Sequence, residues 1–330
     1  MRRLPVILCC LLVLSACAKP VVQKQVLAPA PAAEVARLTR LKVAPFDNDA
    51  GGQVRAAVES ALAAVVVDGR PYFAIVGAGA PAGDLGKPLQ WIDTSRPKAQ
   101  AIRYGSEGTV QGSVHQNGWR DERYVESRRE CAAEDAKGKC VLWANRQVTC
   151  IRRVAQFSFT PKVVGKDRGG VLLSQEFSET RQSSACKDKG APTAGASLLA
   201  AARAKAIARF TDHVAPHAVT LDIPLLTEDD SAMSAQTKAA VAQGLEFAQA
   251  RQTAKACELW RGAARGHADG FALPYLSGVC AELEGDLDQA EGFYTLAGQR
   301  APKPVPEISA AVARVKSTRT DQDRLEEQRK

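Results

Sequence analysis

The sequence predicts an α/β (α+β) domain with extended β-hairpins, followed by a short all-α repeat array. Three observations carry this. Strand and helix signals alternate from Arg40 onward, long polar strands meet at a Gly-rich turn, and motifs recur 34 residues apart near the C-terminus.

RLKVAPFDND, from Arg40, reads as a short strand that Pro45 confines to an edge or an end. Val54, Val58, Ala61, Leu62 and Val65 then recur at helical spacing, with Arg55 and Glu59 four apart on the other face, and Asp68-Gly69-Arg70-Pro71 stops the helix. YFAIVG is a second strand, residues 97–104 a second short helix, and SEGTVQGSV a third strand. RDERYVESRREC, residues 120–131, carries eight charges in twelve positions. Taking AAEDAKGK as a turn joins it to CVLWANRQVTC and brings Cys131 near Cys140. IRRVAQFSFTPKVV and GVLLSQEFSETRQ flank a turn at 165–170. Centring that turn between Asp167 and Arg168 sets Cys150 opposite Cys186 within one residue of register, and bridged cysteines need Cα atoms within about 7 Å. A helix over 194–213 and a strand, VTLDIPLL at 219–226, close a domain spanning 40–226.

Acidic TEDDSA, residues 227–232, breaks the pattern. Beyond it Gly244, Ala256, Trp260 and Ala263 align with Gly278, Ala290, Tyr294 and Ala297, each pair 34 residues apart, with Phe247 in the first unit and Pro302 closing the second. The spacing resembles the tetratricopeptide repeat over 237–304, although Ala240 and Ala281 stand where that pattern has aromatics. A repeat cannot bury its own face, so PEISAAVARV at 306–315 is expected as a cap, giving an array over 233–315 and a fraying charged tail over 316–330. The resemblance puts Cys257 and Cys280 on neighbouring helices, as a disulfide or as two core thiols.

The strand ending in Pro-Phe, the amphipathic helix, the strand after Gly-Arg-Pro, and AIRYGSEGTVQGSV with Gly105, Gly112 and Val114 resemble the CsgG-type domain of curli-secretion lipoproteins and of lipoprotein activators of peptidoglycan synthase. The resemblance implies that fold for residues 40–226. A lipid-facing barrel hairpin alternates apolar residues outward, and the charged 120–131 segment does not. A pore is not expected.

The N-terminus fixes the compartment. MRR, an apolar run from Leu4 to Leu14 and small residues at Ser15 and Ala16 read as a signal peptide over 1–16, too short for a permanent span. Leu14-Ser15-Ala16-Cys17 resembles the bacterial lipobox, which implies a lipidated Cys17 as the first mature residue, and Ala18 favours the outer membrane, facing the periplasm. Residues 17–39, rich in Ala, Pro and Val, read as the lipidated cysteine and a flexible tether reaching at most about 70 Å. Six cysteines remain in the mature chain: Cys131, Cys140, Cys150, Cys186, Cys257 and Cys280. An even number in the periplasm suits three disulfides. The formal net charge of +8 falls to +6 when Arg2 and Arg3 leave with the signal. In that compartment the basic balance indicates no nucleic-acid partner, but lipid headgroups, cell-wall polymers, acidic proteins or simply a soluble surface.

Motifs for chemistry are sparse. His115, His213, His217 and His267 show no zinc-protease motif, and Pro216 ends the helix between His213 and His217. GAGAPAG after the second strand lacks dinucleotide-loop spacing. No C-x-x-C or G-x-S-x-G occurs. The expectation is a non-catalytic outer-membrane lipoprotein without cofactor or metal, an adaptor that binds envelope proteins or peptide segments through the array. The alternatives are a peptidoglycan-synthase regulator and a periplasmic enzyme with an unrecognised site.

Overall fold

The computed structural model describes residues 20–76, 106–166, 169–227, 229, 231–267 and 269–329. The signal segment 1–16, Cys17, the GAGAPAG loop and the 97–104 helix lie outside them. The described chain is mixed α/β with a C-terminal helical region, and it divides into two compact units.

The α/β unit comprises Leu27–His217 and Asp323–Lys330. A single turn, α1 (Ala33–Ala36), precedes β2 (Arg40–Asp47), numbered after β1 (Val21–Ala28), most of which belongs to the other unit. Asp49 caps the next helix, α2 (Gln53–Ala63), by accepting from the amides of Val54 and Arg55 at 3.0 and 2.9 Å. Val54, Val58 and Leu62 are its buried stripe, and Arg55 pairs with Glu59. The two-residue strands β3 (Val66–Val67) and β4 (Arg70–Pro71) close the Asp68-Gly69 turn, and β5 (Ala74–Val76) runs parallel to β2. The third strand, β6 (Glu107–Glu134), is also parallel to β2. In the sheet order β5-β2-β6-β7-β8, with β7 at Cys140–Gly165 and β8 at Val171–Ser174, β2 is internal, and Pro45 falls near its end, the second of the two positions the sequence allows. β5 pairs only with Arg40–Lys42, and the ladder to β6 shifts register between Val43 and Phe46. The missing Pro45 amide therefore falls at an irregularity.

The charged segment pairs with the CVLWANRQVTC strand across the turn, as the sequence predicts. It continues β6 to 28 residues, antiparallel to the 26-residue β7 (Cys140–Gly165). β8 (Val171–Ser174) and β9 (Phe177–Cys186) both pair back onto β7. Cys150 lies opposite Cys186 and Phe157 opposite Glu179, one residue from the register the turn predicts. α3 (Gly195–Val214) packs Ala202, Ala206, Ile207 and Phe210 with Phe157, Phe159, Phe177 and the α2 stripe in one core.

The second unit comprises residues up to Val26 together with Ala218–Gln322. It holds most of β1 (Val21–Ala28) and β10 (His217–Pro224), which pair as a two-stranded sheet. Two expectations are corrected here. The segment read as flexible tether is ordered from Pro20, because Val22 has an apolar partner surface in Ile223 and Leu225. The strand at 219–226 closes not the α/β sheet but this ribbon, so the boundary falls at His217 rather than 226.

Four helices follow: α4 (Ala235–Gln249), α5 (Thr253–Gly266), α6 (Ala272–Glu284) and α7 (Leu287–Arg300). A Cβ on Gly244 would lie 2.2 Å from the Trp260 ring, and one on Gly278 would lie 2.7 Å from the Tyr294 ring. The same glycine-on-aromatic packing thus recurs at positions 34 residues apart. Ala256, Ala290 and Ala297 are fully buried beside it, and Ala263 is partly buried. The cap expected over 306–315 runs on as α8 (Pro306–Arg329). Its last residues, read as a fraying tail, belong to the α/β unit: Gln328 donates to the Ala30 carbonyl at 2.8 Å and accepts from its amide at 3.0 Å.

Candidate interaction surfaces

Three places concentrate the residues the sequence singles out: the β6–β7 ribbon, the helical array and the histidines. β9 leaves β7 at Cys150, so beyond Tyr124 and Cys150 only two strands continue. A two-stranded ribbon is marginal by itself. In this one Cys131–Cys140 bridges β6 to β7 beside the turn, and Cys150–Cys186 ties β7 to β9 at the base. A small cluster of Tyr124, Val148, Cys150 and Cys186 fills the base.

The charges of the ribbon answer one another. Arg153 lies opposite Asp121 and pairs with both carboxylate oxygens at 2.7 and 2.8 Å, which holds the Asp121 carboxyl below its ordinary value. Arg128 grips Glu126 on its own strand and Asp188 at 2.7 Å; its hydrogen bond with Glu126 lowers that carboxyl and raises the guanidinium. Arg146 reaches Glu130 at 3.3 Å. Exposed ion pairs of this kind add little stability, but they leave the ribbon far less basic than its arginine count suggests.

Its apolar residues are different. Val125, Val141, Leu142 and Trp143 are each more than half exposed, at 61, 62, 58 and 51%. Trp143 lies opposite Cys131, and the Arg129 guanidinium stacks 5.2 Å over its ring. CVLW directly after a turn was the available signal: four apolar residues where the strand has already left the core.

In the helical unit the array folds onto its own chain. Every α6 residue from Ala272 to Glu282 is buried. Tyr275 donates to the Pro224 carbonyl at 2.9 Å, the Lys24 ammonium donates to the Glu282 carbonyl, and Leu273 and Leu276 share a core with Val22, Ile223 and Leu225. Burial lowers the Lys24 pKa. Glu282, which the repeat pattern does not single out, is 1% exposed, receives both arms of Arg314 at 2.7 and 2.9 Å, and accepts from the Tyr294 hydroxyl at 2.6 Å. Cys257 on α5 and Cys280 on α6 are bridged, with Cα atoms 5.6 Å apart.

The histidines do not converge. His213 stacks edge-on against Phe177 and burial lowers its pKa, while His217 faces the Ala215 carbonyl. Ser231 contacts His267 at 3.0 Å, but the Asp229 carboxylate sits on the serine and on the α6 amide of Ala272, a capping arrangement rather than a nucleophile relay. His115 contacts Thr160 beside an open polar depression of about 580 Å³ lined by Gln116, Gln156, Glu176 and Thr180. Among the described residues these sites show no nucleophile held against an oriented base.

No family model and no curated protein matches the chain. Solved structures that align with it include the PelC dodecamer from Paraburkholderia phytofirmans, at 15% identity over 59% of this chain and 98% of that one, with a TM-score of 0.25. Another is a putative neuraminyllactose-binding hemagglutinin homolog from Helicobacter pylori, at 10% identity over 54% and 81%, with a TM-score of 0.24. Likenesses at such scores carry no argument about fold or activity, and they lend no support to the curli-secretion or tetratricopeptide resemblance.

Proposed function

We propose that the chain is a non-catalytic adaptor of the bacterial outer membrane, lipid-anchored through Cys17, with a CsgG-like α/β unit and a tetratricopeptide-type helical unit, and that it meets an envelope protein on the distal β6–β7 ribbon. The observation that carries this reading is the contrast between two surfaces. α6 is covered by β1, β10 and the residues after them, whereas Val125, Val141, Leu142 and Trp143 stand exposed on a strand pair bridged beside its turn and tied to β9 at its base. Exposed aromatic and aliphatic side chains on a rigid element are the usual anchors of protein recognition. The recurrence of glycine-on-aromatic packing supports the repeat reading of the helical unit. Order from Pro20 also changes the anchor: only Ala18 and Lys19 separate it from Cys17, so the folded chain begins within about 10 Å of a lipidated residue.

The test is crosslinking and capture from intact cells. Trp143→Ala together with Leu142→Ser is expected to weaken partner capture by about thirtyfold, the scale of a lost anchor worth about 2 kcal/mol, with an unchanged melting temperature. Undiminished capture by this variant overturns the ribbon as the recognition surface. Cys17→Ala is expected to release the protein from the membrane fraction, and continued acylation would refute the anchor.

A further inference from the structure

β6 has an open side. Among the described residues it pairs with β2 only over Glu107–Ser113, whereas its ladder to β7 runs on to Glu134. From Gln116 to Cys131 that ladder has no register shift, so the side facing away from β7 presents main-chain donors and acceptors in regular order. Such an edge is a template for another strand, and soluble proteins block it with proline, a bulge or charge. Residues 116–131 hold no proline and no bulge. The charges of RDERYVESRRE, residues 120–130, are left to decide.

Those charges do not repel a second copy. Laid antiparallel on itself about a two-fold axis at Val125, the segment sets Arg120 opposite Glu130, Asp121 opposite Arg129 and Glu122 opposite Arg128, each pair twice by symmetry. Arg123 meets Ser127, and Tyr124 meets Glu126. Opposite charges facing each other on neighbouring strands attract, and like charges repel. Sliding the register by one residue brings Arg120 against Arg129 or Asp121 against Glu130, and sliding it by two brings Arg120 against Arg128 or Glu122 against Glu130. Of these registers the centred one alone has no like-charge pair. Existing ion pairs leave room for it. Arg153 takes both oxygens of Asp121 at 2.7 and 2.8 Å, but a carboxylate has about four acceptor sites, enough to receive a second guanidinium. At the axis Val125 meets its own copy, which takes a 61% exposed apolar side chain out of water.

We propose that a second copy of this chain docks on the open edge, β6 against β6, antiparallel and two-fold symmetric about Val125, to form a continuous sheet in the order β7-β6-β6-β7. The paired segments exchange about ten main-chain hydrogen bonds. The contact is small beside those of permanent complexes, so the dimer forms and dissociates with concentration. Its ion pairs lie at the surface, so salt weakens it. It uses the main chain and Val125 but not Val141, Leu142 or Trp143, and therefore stands or falls separately from capture of an envelope protein on those residues.

The test uses the full chain, dispersed in detergent, and follows its mass by sedimentation velocity across a dilution series at low and high salt. A monomer–dimer equilibrium is expected, with a dissociation constant that rises with salt. Arg120→Glu alone, or Glu130→Arg alone, sets like charges opposite at two places and is expected to weaken self-association by about tenfold or more. Mixing the two variants should restore it, because position 120 of each chain then faces the opposite charge at position 130 of the other. The double variant Arg120→Glu, Glu130→Arg should associate as the native chain does. Amide exchange at alternate residues of 120–130 should slow as the dimer forms. A chain that stays monomeric at every concentration overturns the proposal. So does a dimer that either single variant leaves intact, or one that mixing the variants fails to restore.

Discussion

Glycine at 244 and 278 is set by the ring across from each. Alanine normally stabilises a helix interior by about 1 kcal/mol over glycine. At Gly244 the added carbon meets the Trp260 indole at 2.2 Å, and overpacking of that kind costs about 1–3 kcal/mol. Gly244→Ala is therefore expected to lower stability, while Gly292→Ala on α7, where a Cβ meets nothing within 4 Å, raises it by about 1 kcal/mol. Denaturant titration of both variants checks the opposite signs. Tyr275 offers a second residue-scale test. Burial pushes its pKa up to about 12, and its hydroxyl donates to the Pro224 carbonyl. The folded value is raised above the ordinary value of about 10, so the stabilisation is complete below pH ~10 and is lost as pH rises toward 12. Tyr294, raised by burial and by Glu282 beside it, adds to the same alkaline loss. The denaturation midpoint should fall less steeply between pH ~10 and 12 in Tyr275→Phe than in the native chain, and parallel slopes would refute the assignment.

At the scale of elements, legibility followed local signals. β2, α2, β5 and α3 were readable because each carries its own periodicity, and the Cys150–Cys186 pairing because a single turn fixes the register of a long antiparallel ladder. β1 was not readable. VVQKQVLA has no apolar–polar alternation to announce a strand, and its partner, β10, lies some 200 positions away in the chain. The open β6 edge escaped notice for a similar reason: β2 and β7 decide which side of the charged segment is left without a strand neighbour among the described residues, and nothing in the segment itself marks that side. The bridges differ in what they hold. Cys257–Cys280 ties α5 to α6 inside a core, and closing a loop of that length is worth about 3 kcal/mol. Replacing both by alanine is expected to lower global stability by about that amount. Cys131–Cys140 clamps an exposed turn, and its removal should leave the global transition in place while amide exchange near Trp143 quickens.

At the scale of the whole molecule, the two units are not consecutive pieces of chain. The polypeptide crosses between them after Val26, His217 and Gln322, so cutting the C-terminal region away as one block also removes residues that the α/β unit uses. Gln328 is 2% exposed and bonds both the amide and the carbonyl of Ala30, Leu325 is 7% exposed, Glu327 faces Arg37, and Arg329 faces Asp68. Leaving two buried backbone groups without partners costs about 1–3 kcal/mol each. Ending the chain after Gln322 is therefore expected to weaken the α/β unit, although none of its strands is touched. Amide exchange at Phe157 and Phe159 reads that unit's core, and exchange at Leu276 and Val279 reads α6, so a single measurement separates the two. The truncation should speed exchange at the first pair by tenfold or more, and Gln328→Ala should do so in part. Unchanged exchange at Phe157 and Phe159 would mean that the α8 terminus contributes nothing to the unit it is assigned to, and a deletion of residues 233–330 would then be a clean way to test which unit captures the partner.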